Sequence, residues 1–384
     1  MPLVKAKELR RRYQLEGPRA TCRHLQEALD QGHLKPEDFS LRDLAEQFCG
    51  PEWVRCLDPR GDSFHLLEDS ADGVDVTAFR NITGQLISAK ILQGFRHEAF
   101  VASQLVQTVP TRLDGEKIPG VARLGDHAEQ VHPGMPYPTY GFGEDYIETP
   151  STTKHGFIVP VTREAVFFDR THLVLQRASE VGQALGLNKE KRILDCIIGA
   201  VNTFKWKGTT YNTYLTSGPW INWAQNNPLN DYSNADQAEG LLARMVDPAT
   251  GEPVLVEATT VLISPALRHA AAKVFQALEL RHTDGSTVTV MQNPWRDQYR
   301  VVVSRQMLRR IEASGVPSSE AEKWWFLGDF AQAFAYMENW PITVTQAPAG
   351  SEAEFTHDIL IRFKASERGT PAVLNPRYVV KNTP

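Results

Sequence analysis

An α+β fold is the class that the sequence predicts, because helical and strand patterns are interspersed without strict strand–helix–strand alternation. The clearest strand signal lies in residues 324–381, where short runs alternate apolar and polar residues and are punctuated by Pro and Gly. The clearest helix signal lies near the middle, where Val174, Ala178, Val181 and Leu185 form one apolar stripe. Neither stretch contains a recognisable active-site motif.

Composition is that of an ordinary soluble globular protein, with 384 residues, 42% hydrophobic residues and a net charge of −5. This overall charge does not predict nucleic-acid binding, so local patches have to be judged separately. No run approaches the roughly eighteen apolar residues of a membrane span, and the charged N-terminus does not resemble a secretory signal. The cysteines fit no zinc-ribbon or CxxC spacing and predict buried or incidental thiols in a reducing compartment; they are Cys22, Cys49, Cys56 and Cys196.

Residues 1–60 predict short helices, because Leu9, Tyr13 and Leu25 and later apolar residues recur at helical spacing. Ser40 is the predicted N-cap of the helix LRDLAEQF, which Gly50 and Pro51 should end. A basic cluster lies in the first of these helices and consists of Lys5, Lys7, Arg10, Arg11 and Arg12. We prefer to interpret it as a solvated helix face, with contact to nucleic acid or an acidic partner as the alternative.

Residues 75–108 continue the helical pattern, and residues 109–164 are instead dense in Gly and Pro. A loop of that length is improbable in a compact domain, where connections have a median of about 4–6 residues. We therefore predict an extended excursion with strands at 122–127 and 156–161 and a tip at 132–138. An isolated hairpin is marginal in water, so this one is expected to rest on another chain.

The middle of the chain predicts a helix capped by Asp169 and ended by Gly186, then a second helix from Lys189. A hairpin is predicted to turn at Lys207-Gly208. The polar and aromatic stretch that follows is predicted to end in a helix capped by Ser233 or Asn234.

Ser264 is a predicted N-cap, with Pro265 in the first helical turn. The alternating patterns beyond it predict strands at 287–291 and 299–304 and a helix that ends at Gly315. Four closing strands are predicted at 334–337, 342–345, 355–365 and 372–380.

Searches for catalytic and cofactor motifs fail. The chain has no P-loop, no complete dinucleotide fingerprint, no HExxH and no GxSxG. His127 and His132, beside Asp126 and Glu129, come nearest to a metal cluster, but a Gly- and Pro-rich loop would preorganise ligands poorly. We therefore expect no enzyme activity, no cofactor and no metal site.

The ordered parts resemble the major capsid (major head) protein of tailed double-stranded DNA phages, which has the Hong Kong 97-type fold. The nearest likeness is to the Mu-like major head subunit branch. Three stretches carry the resemblance and together span residues 75–384: DGEKIPGVARLGD with EDYIETPSTTKHGFIVPVTREAVFFDR, the helix after Asp169 with LGLNKEKRILDCIIG, and FLGDFAQAFAYMENWPITV with EFTHDILIRFKASERGTPAVLNPRYVV. They look like that family's extended loop, spine helix and axial-domain strands.

The resemblance implies a domain organisation. It comprises an N-terminal helical extension (1–74), an N-terminal arm (75–110), an extended loop (111–165), a peripheral domain with the spine helix (166–217 and 351–384) and an axial domain (218–350). Residues 1–74 lie outside the matched fold and correspond in position to a scaffolding segment that some relatives remove by proteolysis.

It also implies a function, namely self-assembly into the hexamers and pentamers of an icosahedral virion shell around double-stranded DNA. Portal and decoration proteins would be further partners, a membrane would not, and the shell would assemble in the bacterial host cytoplasm. Candidate subunit-interface residues are Lys117, Tyr137, Tyr140, Phe142, Tyr146, Lys154, Trp220 and Trp223, and candidate DNA-facing residues are those of the basic cluster. Some relatives join subunits by a Lys–Asn isopeptide bond, for which Lys117, Lys154 and Asn375 are the residues to compare.

Two alternatives remain at this stage. An encapsulin-like shell would enclose a cargo enzyme instead of a genome. A soluble α+β enzyme would place its substrate site at residues 220–230, where aromatic and asparagine side chains are concentrated.

Overall fold

The computed structural model describes residues 2–49, 53, 71–119, 146–247, 251, 253–284, 287–347 and 359–384. It confirms the α+β prediction. The chain divides into two compact units: unit 1 comprises Met1–His97, Lys154–Asn188 and Trp340–Arg368, and unit 2 comprises Glu98–Thr153, Lys189–Asn339 and Gly369–Pro384. Each unit has its own hydrophobic core.

The helices of the described chain are α1 (Pro2–Glu16), α2 (Pro18–Asp30), α3 (Leu41–Cys49), α4 (Ala71–Phe95), α5 (Ala102–Leu105), α6 (Arg163–Phe167), α7 (Thr171–Ile198), α8 (Tyr232–Ala243), α9 (Arg268–Phe275), α10 (Arg305–Ala313), α11 (Ser318–Ala321) and α12 (Phe330–Ala333). Short 3-10 turns occur at Pro36–Asp38, Pro265–Leu267 and Pro376–Tyr378. No helix in these described segments is both long and apolar enough to span a membrane.

The strands are β1 (Gln107–Pro110), β2 (Lys117–Pro119), β3 (Tyr146–Glu148), β4 (Thr153–Thr162), β5 (Thr203–Trp206), β6 (Thr209–Asn212), β7 (Trp223–Ala224), β8 (Thr260–Ile263), β9 (Glu279–Asp284), β10 (Thr287–Gln292), β11 (Arg300–Val303), β12 (Trp325–Gly328), β13 (Phe334–Gln346), β14 (Ile359–Val373) and β15 (Val379–Asn382). They form sheets with the orders β1-β13-β14-β4, β2-β3-β5-β6, β11-β8-β12-β15-β7 and β10-β9.

The central sheet of unit 2 is the mixed sheet β11-β8-β12-β15-β7. Strands β8, β12 and β15 pair antiparallel, and parallel strands flank them on both sides. All four residues of β8 and of β12 are buried, which explains why both strands are largely apolar and do not alternate.

Several predicted elements are confirmed at the residue level. The Asp43 N–H donates to Ser40 Oγ at 3.1 Å, so Ser40 caps α3 as expected. Strands β5 and β6 pair antiparallel around Lys207 and Gly208, whose φ angles of 49° and 76° suit a tight hairpin turn. Predicted strand 156–161 lies within β4, whereas predicted strand 122–127 and the tip at 132–138 lie outside the described residues.

The helix boundary at Gly186 is wrong, because α7 runs without interruption from Thr171 to Ile198. A helical glycine costs about 1 kcal/mol relative to alanine. Apolar residues on both sides of it are fully buried, Leu185 before it and Ile193, Leu194 and Ile197 after it, and burying such side chains outweighs that cost. Asp169 is also not the N-cap of α7. The helix begins at Thr171, so Arg170 holds the N-cap position, and the Asp169 carboxylate accepts a hydrogen bond from the Thr171 hydroxyl at 2.7 Å.

Two other cap predictions are corrected. The N-cap of α8 is Asp231, whose own N–H donates to Asn234 Oδ1 at 3.1 Å in a reciprocal capping box, so neither Ser233 nor Asn234 is the cap. Ser264 occupies the N-cap position of the 3-10 turn, but its hydroxyl donates to the Glu322 carbonyl oxygen at 3.3 Å instead of capping.

The closing strands also differ from the prediction. Runs 334–337 and 342–345 form one continuous strand, β13. The described part of predicted strand 355–365 lies in β14, and residues 355–358 lie outside the described residues. Predicted strand 372–380 is instead divided between the end of β14 and the start of β15. Pro341 lies inside β13 without ending it. A proline in a sequence is therefore not a reliable strand boundary here.

Glu190 on α7 holds the start of α5 within unit 2. Its carboxylate accepts hydrogen bonds from the N–H groups of Val101, Ala102 and Ser103 at 2.8–3.0 Å, and the residue is fully buried. Burial raises the pKa of Glu190, and the backbone donors oppose that shift by stabilising the carboxylate. Sequence patterns gave no indication of this contact, because Glu190 lies about ninety residues along the chain from the three N–H groups that it binds.

Helices α4 and α7 cross closely within unit 1 at two glycines. A Cβ on Gly182 would lie 3.0 Å from the Phe95 nitrogen and would overlap the Ile91 carbonyl. A Cβ on Gly94 would lie 3.1 Å from the Gln183 nitrogen and would overlap the Ser179 carbonyl. The two backbones therefore touch, which only glycine allows at these positions.

Candidate functional site

The base of the predicted excursion is a small sheet in unit 2. Lys117 on β2 pairs with Glu148 on β3, and Pro119 pairs with Tyr146. The Lys117 ammonium lies 4.2 Å from the centre of the Tyr146 ring, a cation–π contact within one chain. The other interface candidates of the excursion, Tyr137, Tyr140 and Phe142, lie outside the described residues.

Trp220 and Trp223 are packed within their own chain. The Trp220 ring is 5% exposed and lies 5.7 Å from those of Phe204 and Tyr211, and Trp223 donates through Nε1 to Thr383 Oγ1 at 2.9 Å. Their participation in a subunit interface stays a prediction.

Two asparagines of the alternative substrate site, Asn222 and Asn227, are structural. Asn227 is fully buried, and its amide donates to Asn382 Oδ1 at 2.8 Å and to the Asn234 carbonyl at 3.0 Å. Asn222 is equally buried and donates to the carbonyls of Thr213 and Pro376. Their amides therefore tie loops of unit 2 together and are not free to hold a substrate.

Lys117, Lys154 and Asn375 were the residues to compare with a crosslinking site, and the Lys117 contact with Tyr146 is described above. Lys154 is exposed, with its ammonium 5.8 Å from the centre of the Trp340 ring. Asn375 is 3% exposed, and its Oδ1 accepts from Arg377 Nε at 2.9 Å. A lysine from another subunit would therefore not reach the Asn375 amide in this conformation.

The basic cluster lies on α1 in unit 1. Lys7, Arg11 and Arg12 are exposed, Arg10 is half-buried, and the Lys5 side chain lies outside the described part of the chain. Arg12 forms an ion pair with Glu8 at 2.9 Å, which reduces its availability to a partner. Lys7 and Arg11 are the residues of the cluster best placed to meet an anionic surface.

Metal binding has no support among the residues that the structure describes, which contain no group of three or more His, Cys, Asp or Glu side chains that could hold an ion. His127 and His132 lie outside them. The described cysteines Cys22 and Cys196 are free thiols.

Two exposed apolar surfaces were missed by the sequence analysis. On β4, an edge strand of its sheet, Phe157 and Ile158 are 49% and 58% exposed. On β10, Val290 and Met291 are 50% and 48% exposed. Exposed apolar residues on an edge strand or an unpaired ribbon are candidate contact positions for a partner.

The antiparallel β9–β10 ribbon, formed by Glu279–Asp284 and Thr287–Gln292, pairs with no other described strand. Its base is fixed, because the buried Asn293 side chain donates to the carbonyls of Val274 and Ala277 at 2.8 and 3.0 Å. Val290 and Met291 are sequence neighbours and therefore lie on opposite faces of the ribbon. An anchored ribbon with exposed apolar residues on both faces is suited to contact two neighbours.

Comparison with protein families gives the deciding observation: a family model described as phage capsid protein matches residues 146–382. The chain belongs to the phage capsid protein family. The matched region covers more than half of the chain and includes β3 to β15, hence most of unit 2 and parts of unit 1.

Solved structures with similar folds have low sequence identity. The capsid of a native GTA particle is 12% identical, with 75% of this chain and 90% of that chain covered and a TM-score of 0.45. The cyanophage Pam1 capsid is 13% identical, with 75% and 92% covered and a TM-score of 0.45. The SrpI encapsulin of Synechococcus elongatus PCC 7942 is 10% identical, with 75% and 87% covered and a TM-score of 0.42. No curated protein sequence matches the chain, and the family match carries the assignment.

Family membership confirms the predicted class, a major capsid shell protein with a Hong Kong 97-type α+β fold. It also makes this protein a component of the virion capsid and implies a structural role. It favours the genome-enclosing capsid over the encapsulin-like alternative. The Mu-like branch stays a prediction.

Proposed function

We propose that this capsid protein assembles into hexamers and pentamers of a closed icosahedral shell that encloses double-stranded DNA. The β9–β10 ribbon is the observation that carries the proposal. A ring of identical subunits uses head-to-tail contacts, so each subunit meets two neighbours through two different surfaces. The exposed Val290 and Met291, on opposite faces of one anchored ribbon, provide such a pair of surfaces.

Replacing both Val290 and Met291 with glutamate tests the ribbon. We expect the variant to stay folded, because both side chains are about half exposed, but to lose assembly, because charges would be buried between subunits. Gel filtration and negative-stain electron microscopy should show particles for the unmodified protein and only small species for the variant.

Leu255→Glu is the matched control, because Leu255 is also in unit 2 and is 77% exposed. This control should still form particles. Normal particles from the Val290 and Met291 double variant would rule out the ribbon as an assembly surface, and the absence of particles from the unmodified protein would contradict the proposed shell itself.

We further propose that Lys7 and Arg11 contact packaged DNA without sequence specificity, in a shell that assembles in the host cytoplasm with portal and decoration proteins as partners. Replacing both with glutamine should make double-stranded DNA binding less dependent on salt. The slope of the logarithm of the binding constant against the logarithm of the salt concentration should become shallower by roughly 0.9 for each phosphate that is no longer neutralised. The control replaces Lys205 and Lys273, both exposed, with glutamine and removes the same charge. Filter binding across a salt series would contradict the proposal if the two variants had equal slopes.

A further inference from the structure

The N-terminal helices form part of the core of unit 1 and are not an appendage to it. Helices α2 and α3 pack on α4, and α3 also packs on α6. On this segment Leu25, Leu41, Leu44 and Phe48 are at most 2% exposed, and they share one core cluster with residues of α4 such as Ile82. Removing residues 2–49 would therefore expose a continuous apolar face of α4.

A polar latch joins the start of α3 to the start of α7. The Ser40 hydroxyl donates to Asp169 Oδ1 at 2.7 Å, and the Leu41 N–H donates to Thr171 Oγ1 at 2.8 Å. Thr171 is 8% exposed, so its contact with Leu41 is shielded from water. These bonds connect residues about 130 positions apart and fix the N-terminal helices to the start of α7.

A second polar contact holds the same segment to α4. Lys90 on α4 forms an ion pair with Glu37 of the 3-10 turn. Burial acts to raise the pKa of Glu37, but the Lys90 hydrogen bond and charge outweigh it, so that the pKa is lowered and the carboxylate stays ionised. Apolar burial, the polar latch and the Lys90–Glu37 ion pair therefore all hold residues 2–49 against the rest of unit 1.

We propose that residues 2–49 are a permanent clasp of the subunit, which holds α4 on α7 and stays in the assembled shell. A scaffolding segment that is later removed would be expected to make few contacts with the body it leaves. This segment instead shares the core of unit 1 with residues of both helices that meet at Gly94 and Gly182. The inference rests on the proposed function only in assuming that a shell forms.

Cutting the chain after the clasp tests the proposal in the full-length protein. A protease recognition sequence is inserted within residues 54–70, and the purified protein is cleaved before and after assembly. We expect the N-terminal fragment to co-elute with the remainder in gel filtration and to separate only in denaturant. Intact mass measurement of subunits from particles of the unmodified protein should give 43.0 kDa, the mass of the whole chain.

Two variants of the cleavable protein define the outcomes. Leu44→Asp places a charge at a fully buried position of the clasp and should release the fragment, whereas Leu15→Asp, at a 74% exposed position of α1, should not. A fragment that dissociates from the cleaved parent protein, or particles whose subunits lack residues 2–49, would overturn the proposal. Failure to form particles would contradict the proposed function alone, because co-elution is measured on the unassembled protein.

Discussion

Gly182→Ala is expected to abolish stable folding of unit 1. The added Cβ would overlap the Ile91 carbonyl and lie 3.0 Å from the Phe95 nitrogen, and both are backbone atoms that no side-chain rotation can move away. The α4–α7 crossing would have to open, separating core residues such as Ile91 and Ala178 that are fully buried. We expect a loss of about 3 kcal/mol or more, seen as insoluble protein or as a large fall in thermal unfolding temperature.

The matched control is Gly240→Ala in α8, where a Cβ would meet no atom within 4 Å. Alanine is the better helix former by about 1 kcal/mol, so this control should be slightly stabilising. Gly94→Ala, on the opposite side of the same crossing, should behave like Gly182→Ala. If both crossing variants unfolded at the temperature of the unmodified protein, the close approach of the two helices would be refuted.

The sequence was informative where local patterns determine structure. The hairpin at Lys207-Gly208 was predicted because glycine readily adopts the positive φ of a tight turn, and Ser40 was predicted because a serine before an apolar helix start satisfies an unpaired N–H. The capsid family was indicated by the order of its parts, not by a single motif, and the family match confirms it.

Predictions failed where distant residues decide the local structure. Gly186 resembled a helix end, but tertiary burial on both sides of it keeps α7 continuous. The roles of Gly94 and Gly182 depend on which helices cross, and no local pattern contains that information. The exposed pair on β10 was missed for a similar reason, because an alternating run such as TVTVM does not reveal whether its apolar residues face a core or solvent.

Lys381→Met should stabilise the protein most at low pH. Lys381 is 4% exposed on β15 and donates to the Ile198 carbonyl at 3.2 Å, and no carboxylate of the described chain forms an ion pair with it. Burial lowers its pKa to about 7. Rings of Trp324, Trp223 and Tyr214 have centres 3.8, 4.7 and 5.4 Å from the ammonium and oppose this shift by stabilising the charge.

The direction of the pH effect follows from the proton count. Between pH 7 and the ordinary lysine pKa of 10.5, the unfolded chain holds a proton on Lys381 that the folded chain has lost. The free energy of unfolding therefore rises with pH in this window, by up to about 1.4 kcal/mol per unit for this group. From pH 7 to 8.5 the free energy of unfolding of the unmodified protein should rise by about 2 kcal/mol, and that of the methionine variant should not. This value is an upper bound, because the rings oppose the lowering of the Lys381 pKa.

Thermal unfolding of both proteins across this pH range measures the difference. The advantage of the methionine variant should be greatest at pH 6, where the folded protein must bury the ammonium, and should shrink by pH 8.5. Lys154→Met is the control, since Lys154 also lies near a tryptophan, Trp340, but is exposed and should show no such change. Parallel pH profiles for Lys381→Met and the unmodified protein would mean that the aromatic rings fully compensate for burial and that Lys381 remains charged within the folded core.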